Sequence, residues 1–230
     1  AAGPQESVSG DWQKVDEIPY DFDRKRLSVA VREPDGKDLL ICKGAVQNVL
    51  EVCSAVLIGE EAVPLQGSLR ADFDAKFRIW SEQGYRVLAI AVRTFEPQPR
   101  YRREDESSLC LAGFLLFLDP PKEGISEVLK ELSSRGVACK MITGDNRFVA
   151  AHLAETIGLG CRAVVTGEEL SGMTKDALFG RVAKTDLFVE IDPNQKERIV
   201  EAMRRRGLVV GYLGDGINDA PALHEADIGI

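Results

Sequence analysis

Gly211-Tyr212-Leu213-Gly214-Asp215-Gly216-Ile217-Asn218-Asp219-Ala220-Pro221-Ala222-Leu223 is the stretch on which the reading of this chain turns. The apolar run Leu208-Val209-Val210 leads into it, which predicts a buried strand over 208–213 ending at a turn. Two carboxylates, a carboxamide and two glycines crowd that turn. Asp215 and Asp219 flank Gly216, where the backbone can approach a ligand closely while the acids converge on it. A hard divalent cation with a phosphate suits such a set of oxygens.

On the N-terminal side of this stretch, the chain after Leu118 alternates strand and helix. The pattern predicts a helix over 124–135 closed by Gly136, a strand over 137–142, and a helix over 146–157 closed by Gly158. A strand near 163–165, a short helix near 175–182 and a strand over 187–191 come next. Asp192-Pro193 reads as an N-cap with proline at the first helical position, opening a helix to Arg206. Such alternation predicts a parallel, doubly wound sheet with its ligand outside the carboxyl ends of the strands.

The first half has a different rhythm. Residues 1–10 are small and polar and read as a disordered end or expression scar. Strands over 27–31 and 39–42 are separated by Glu33-Pro34-Asp35-Gly36, a turn signal between antiparallel partners. Gly44 is expected to open a helix over 45–53. A second helix over 69–83 carries Phe73, Phe77 and Trp80 at helical spacing, and strands over 87–92 and 109–118 come after it. The expected class is α/β: an antiparallel-sheet α+β domain over 11–118, then a partial doubly wound Rossmann-like domain over 119–230.

Composition narrows the partners. The 29 Lys and Arg against 37 Asp and Glu give a net charge of −8, shared evenly between the halves on either side of Leu118, so nucleic acid is not expected. The five cysteines are scattered and never spaced C-x-x-C, which predicts reduced thiols. With only His152 and His224, zinc is not expected. The longest apolar run, 109–118, is too short to span a bilayer, so the chain itself is not expected to insert in a membrane.

In a parallel sheet the loops after the strands share one edge, so three motifs are expected to meet. Thr143-Gly144-Asp145 offers a hydroxyl and helix-start amides to phosphoryl oxygens. Lys196, in the first turn of the helix from Pro193, can neutralise a phosphate and a neighbouring carboxylate. At about 4 Å and an effective dielectric of about 20, one such charge pair is worth roughly 4 kcal/mol before desolvation. Asp215 and Asp219 complete the set with Mg²⁺. Neither G-x-x-x-x-G-K-[ST] nor G-x-G-x-x-G is present.

Taken together, the motifs resemble those of the P-type cation-transporting ATPases of the haloacid dehalogenase-like superfamily. Asp119-Pro120-Pro121-Lys122 is similar to their D-P-P-[RK] hinge, Thr143-Gly144-Asp145 to T-G-D, Asp192-Pro193-x-x-Lys196 to P-x-x-K, and Gly214 to Leu223 to G-D-G-x-N-D-x-P-A-L. Lys43-Gly44-Ala45 resembles their K-G-A element, and Gly84-x-Arg86 the segment that supplies an arginine to nucleotide phosphates. The wording of 211–230 looks most like the magnesium-transporting branch. The resemblance implies a nucleotide-binding domain before residue 119 and an incomplete phosphorylation domain after it. It implies ATP and Mg²⁺ as cofactors, with the nucleotide held by Tyr20 or Phe22, Lys43, Gly44 and Arg86. Phosphoryl transfer would use Thr143, Gly144, Asp145, Lys196 and Asn218, with Asp215 and Asp219 as metal ligands. The parent would be a multi-pass membrane pump with its membrane helices and actuator domain elsewhere, and with this chain on the cytosolic face.

Departures from the family pattern set further expectations. No D-K-T-G-T occurs, so the phosphorylated aspartate is absent and the chain alone is expected to be inactive. Thr166-Gly167-Glu168 matches the actuator's T-G-E by letters only and is expected to play no part in dephosphorylation. Glu190 stands where many relatives carry a basic residue. Two rival functions remain open on the sequence: a free-standing phosphatase using Asp21 and Asp23, and a non-catalytic nucleotide-binding module.

Overall fold

The computed structural model describes residues 12–230 apart from Asp215, together with the backbone but not the side chain of Ile217. The expected disordered end at 1–10 lies outside the described residues. The chain divides into two compact units: residues up to Phe77 with Val87–Phe117, and Arg78–Arg86 with Leu118–Ile230.

A seven-stranded sheet forms the first unit, in the order β1-β2-β3-β6-β7-β4-β5. Its strands are β1 (Gln13–Asp21), β2 (Arg26–Arg32), β3 (Asp38–Ala45), β4 (Cys53–Ile58), β5 (Glu61–Pro64), β6 (Arg86–Phe95) and β7 (Leu109–Phe117), with helices α1 (Val46–Leu50) and α2 (Ser68–Glu82). The 33–36 turn joins β2 and β3 as the sequence predicts, with Gly36 N bonding back to Glu33 O. Alternate residues of the central strands, among them Ser28, Ala30, Leu40, Cys42, Ala89 and Ala91, are fully buried, the period-two signature of a sheet with one dry face.

Two expectations for this unit are corrected. The helix expected over 45–53 is only α1, because Gly44 and Ala45 stay in β3: Gly44 is in register with Arg26 on one side and Ala89 on the other. The hairpin β4–β5 comes directly after α1, and β4 runs parallel to β7, so the sheet is mostly rather than wholly antiparallel. Strand β1 forms despite Pro19, because it is an end strand and its register slips between Ile18 and Asp21, where a missing N–H costs nothing.

The second unit alternates as expected: α3 (Ile125–Ser134), β8 (Met141–Ile142), α4 (Arg147–Ile157), β9 (Val164–Thr166), α5 (Gly167–Ser171), α6 (Lys175–Arg181), β10 (Leu187–Val189), α7 (Pro193–Arg205), β11 (Gly211–Tyr212), α8 (Ala220–Glu225) and β12 (Ile228–Gly229). Strands β8, β10 and β9 form a parallel sheet in that order, and among the described residues β11 pairs in parallel with β12 alone. Phe188, Ile191, Ile199, Val200, Val210 and Tyr212 share one buried core.

Local chemistry fixes the helix ends. Asp192 caps α7 through Gln195 N, Gln195 returns the bond to Asp192 N, and Pro193 fills the position that needs no donor. Asn146 caps α4 through the amides of Phe148 and Val149. Thr166 caps α5 in a box with Glu169, so the T-G-E letters are accounted for by a helix start. The strand expected over 137–142 shrinks to β8, because Val137 N turns back to Leu132 O to close α3. The lead-in to the G-D-G loop is also corrected. Only Gly211 and Tyr212 are strand, while Val209 is 83% exposed and Leu213 79%. An apolar run reads as buried, but β11 has a partner on one edge only, so nothing covers those side chains among the described residues.

Candidate functional site

The second unit presents a buried carboxylate beside a glycine loop. After β11 the chain passes Gly214 and Gly216 into a single 3-10 turn, Ile217–Asp219, which runs into α8 with Pro221 in its first turn. Asp219 Oδ1 accepts two hydrogen bonds, from Lys196 Nζ at 2.6 Å and from the Tyr212 hydroxyl at 2.9 Å. Among the described residues its other oxygen, Oδ2, accepts only Gly216 N, at 3.3 Å. Burial pushes the Asp219 carboxyl up, and the Lys196 ammonium with the Tyr212 hydroxyl more than offsets it, so the group is held below its usual value. Gly214 is required here by close approach: a Cβ would lie 2.8 Å from Asp219 Cβ and 2.9 Å from Tyr212 Cε1. Asn218 is exposed in the same turn. Asp215 lies outside the described residues.

Thr143-Gly144-Asp145 forms the turn between β8 and the Asn146 cap. The Thr143 hydroxyl accepts from Asp145 N at 3.1 Å and donates to Asp145 Oδ2 at 3.1 Å, so it braces its own loop. Gly144 is loosely placed: a Cβ there would have only Ile191 O within 4 Å among the described residues, at 3.5 Å. Ile191 N donates to Thr143 O and Glu190 N to Asp145 O, which ties this loop to the residues just before α7. The pairing of β8 with β10 therefore brings the T-G-D loop beside the start of the helix that carries Lys196. Glu190 sits at a left-handed φ of 59° and accepts from Arg147 N at 3.3 Å. Its carboxylate faces the first turn of α4.

Arg86, expected at nucleotide phosphates, donates to Asp145 Oδ2 at 2.8 Å and lies 3.4 Å from Asp119 Oδ2. In the first unit Tyr20 and Phe22 are half exposed and meet edge to face, their centroids 5.5 Å apart. They are surface aromatics rather than core. Lys43 is exposed on β3, in register with Leu27 and Ile90, so all three share one sheet face. Gly44 is buried, and a Cβ there would lie 2.4 Å from Lys25 O. The rival phosphatase pair does not assemble: Asp21 accepts from Arg24 and lies 3.3 Å from Arg103 Nη2, at the end of an outer antiparallel strand, with Asp23 exposed beyond it.

The two expected cofactors make different demands on these groups. For a nucleotide base, the half-exposed Tyr20 and Phe22 offer open ring surface, which fits. For Mg²⁺, Asp219 Oδ2 is a hard oxygen with a free lone pair, which fits in kind. It is not a full ligand shell: among the described residues no three His, Cys, Asp or Glu are grouped to hold a metal.

Comparison with known families agrees with this geometry. The family model described as "P-type ATPase, cytoplasmic domain N" matches residues 3–124, and that of the haloacid dehalogenase-like hydrolases matches residues 86–227. The chain belongs to the P-type ATPase family. It is 45% identical over 224 residues to a Salmonella typhimurium protein named "Magnesium-transporting ATPase, P-type 1", covering 97% of this chain and 25% of that protein. An Escherichia coli protein of the same name is 44% identical over 225 residues, with the same coverage. The Lactococcus lactis "Calcium-transporting ATPase 1" is 31% identical over 220 residues, covering 94% of this chain and 25% of its own length. This P-type ATPase chain thus spans about a quarter of the length of these relatives. Among the described residues no helix is long and apolar enough to cross a membrane.

Two contacts escape sequence reasoning. Tyr212 reads as a core aromatic, and the only signal for more is that a buried phenol needs a hydrogen-bond partner. Arg86 reads as a phosphate ligand, and its pairing with Asp145, 59 positions away, has no local signature.

Proposed function

We propose that the chain is the nucleotide-binding and phosphorylation part of an ATP-driven cation pump of the magnesium-transporting kind. The observation that carries this is the Lys196–Asp219 pair at 2.6 Å beside the Gly214–Gly216 loop, at the carboxyl end of a parallel strand. Tyr20 or Phe22 would stack on adenine while Lys43, seated by Gly44, meets phosphate. Mg²⁺, held by Asp215 and by Asp219 Oδ2, would neutralise charge on the transferred phosphoryl oxygens. Lys196 would turn from Asp219 toward a phosphoryl oxygen, with the Thr143-Gly144-Asp145 loop positioning the group and Asn218 fixing the turn. Arg86 would exchange Asp145 for a nucleotide phosphate, since both are anions of similar reach.

The acceptor aspartate would come from the remainder of the pump, together with its membrane helices and actuator domain. Two open strand edges support this: β8 is an end strand of its sheet, and β11 has β12 as its only partner among the described residues. A further strand pairing along β11 would also lie beside the exposed Val209 and Leu213 that flank it. Hydrolysis of the aspartyl phosphate would then drive the cation, and the chain would face the cytosol.

Titrating ATP against the chain tests this reading. Binding without turnover, weakened by Lys43→Ala, is expected. Turnover that is lost in Asp21→Asn would replace it with the phosphatase reading, and binding indifferent to Lys43→Ala would remove the nucleotide from this face of the sheet.

A further inference from the structure

We infer that Tyr212 is a positioning residue for Asp219, a second anchor that keeps the carboxylate aimed when Lys196 leaves it. The inference rests on the metal and phosphoryl reading of this loop given above.

Lys196 and Tyr212 donate to the same oxygen, Oδ1, at 2.6 and 2.9 Å, while among the described residues Oδ2 keeps a single weak bond to Gly216 N. A carboxylate with one oxygen pinned twice can present only the other. The two anchors differ in kind. Lys196 is a flexible ammonium in the first turn of α7, and it is the group that must also reach a phosphoryl oxygen. Tyr212 is a rigid ring, 8% exposed, locked in the core with Phe188, Ile199 and Val210. Its hydroxyl cannot follow Lys196. With Tyr212 alone on Oδ1 the carboxylate keeps its rotamer, and Oδ2 stays turned toward the Gly214–Gly216 loop. Gly214 belongs to the same device, because a Cβ there would strike both the Tyr212 ring and Asp219.

The hydroxyl is the whole of the proposed effect, so Tyr212→Phe is the decisive substitution: it keeps the ring, and with it the packing. Amide spectra of the ¹⁵N-labelled chain would be recorded with and without Mg²⁺, for the unmutated chain, Tyr212→Phe, Lys196→Met and the double variant. Without cation, Tyr212→Phe is expected to shift the Gly216 amide with little change elsewhere in the core. With cation, it is expected to weaken Mg²⁺ binding about threefold to tenfold, the scale of one ordinary intramolecular hydrogen bond. The loss should be larger in the Lys196→Met background, where Tyr212 is the only anchor, so the two substitutions should not be additive.

An unmoved Gly216 amide, or additive effects of the two substitutions, would overturn the positioning role. A merely structural role for the ring would give neither the local amide shift nor the non-additivity. If the unmutated chain shows no saturable Mg²⁺ shift at the loop, the metal reading fails instead. The cation-free spectra would then decide the Tyr212 role alone.

Discussion

Each unit buries a carboxylate against basic side chains, and the two are satisfied differently. In the first unit Glu106, its side chain wholly buried, accepts from Arg24, from Arg26 Nε at 2.8 Å and from the Ser28 hydroxyl at 2.7 Å. Both of its oxygens are used, and both arginine partners are themselves largely covered. Asp219 in the second unit has one oxygen doubly bonded and the other almost free, beside a loop of glycines. Buried charge by itself therefore does not mark a reacting group. What separates the two is unspent hydrogen-bonding capacity that faces an approachable backbone. Glu106 bolts the 96–108 loop to the sheet, whereas Asp219 Oδ2 accepts only Gly216 N among the described residues.

Four measurements put that contrast at risk. The largest effect is expected for Glu106→Gln, which leaves the covered Arg26 without a carboxylate among the described residues and Arg24 with Asp21 alone, and should cost about 3 to 5 kcal/mol of stability in chemical denaturation. A loss below about 1 kcal/mol, the scale of an exposed pair, would mean that Glu106 is not the bolt described. Next comes acid sensitivity of the first unit. Asp38 is fully buried, and the Arg32 guanidinium with the Tyr101 hydroxyl holds it down to about 2 from 3.8. A depressed carboxylate stabilises fully above its unfolded value and loses that contribution as pH falls through its folded one. Stability should thus decline between about pH 4 and pH 2, and Asp38→Asn should flatten the decline; an unchanged acid profile would contradict the assignment.

Lys196→Met should be milder than the Glu106 change, about 2 kcal/mol, because Tyr212 remains on Asp219 Oδ1. A loss matching that of Glu106→Gln would show that the two clusters are alike after all. Smallest is Thr166→Ala, which removes only the cap of α5 and should cost about 1 kcal/mol with no effect on ATP binding. A clear change in ATP affinity would restore a role to a motif that the structure explains as a helix start.

Much of the fold is legible in the sequence where local chemistry sets it. Asp192-Pro193, Asn146 and Gly158 mark helix ends that the backbone obeys, and the Glu33–Gly36 turn joins the strands it should. The hairpin β4–β5 was hidden because Ala55-Val56-Leu57-Ile58, coming after an apolar helix pattern, is equally good as helix or strand. The open edge of β11 was hidden for the opposite reason: Leu208-Val209-Val210 looks buried, and whether it is depends on a neighbouring strand.

The site divides in the same way. Spacing and residue type single out Lys196, Asp219, the T-G-D loop and the glycines, because cations, hard oxygens and approachable backbone are chemical requirements that leave their letters in the sequence. That Lys196 and Tyr212 share one oxygen of Asp219 and that Arg86 holds Asp145 are outcomes of which strands pair and which rings pack. The candidate groups and the ends of the helices can be read from the letters alone, the first from residue type and the second from bonds within a few residues. How the hydrogen-bonding capacity of each group is spent is settled by the folded chain, because partners 7, 23 and 59 positions apart meet only when the sheet and core bring them together.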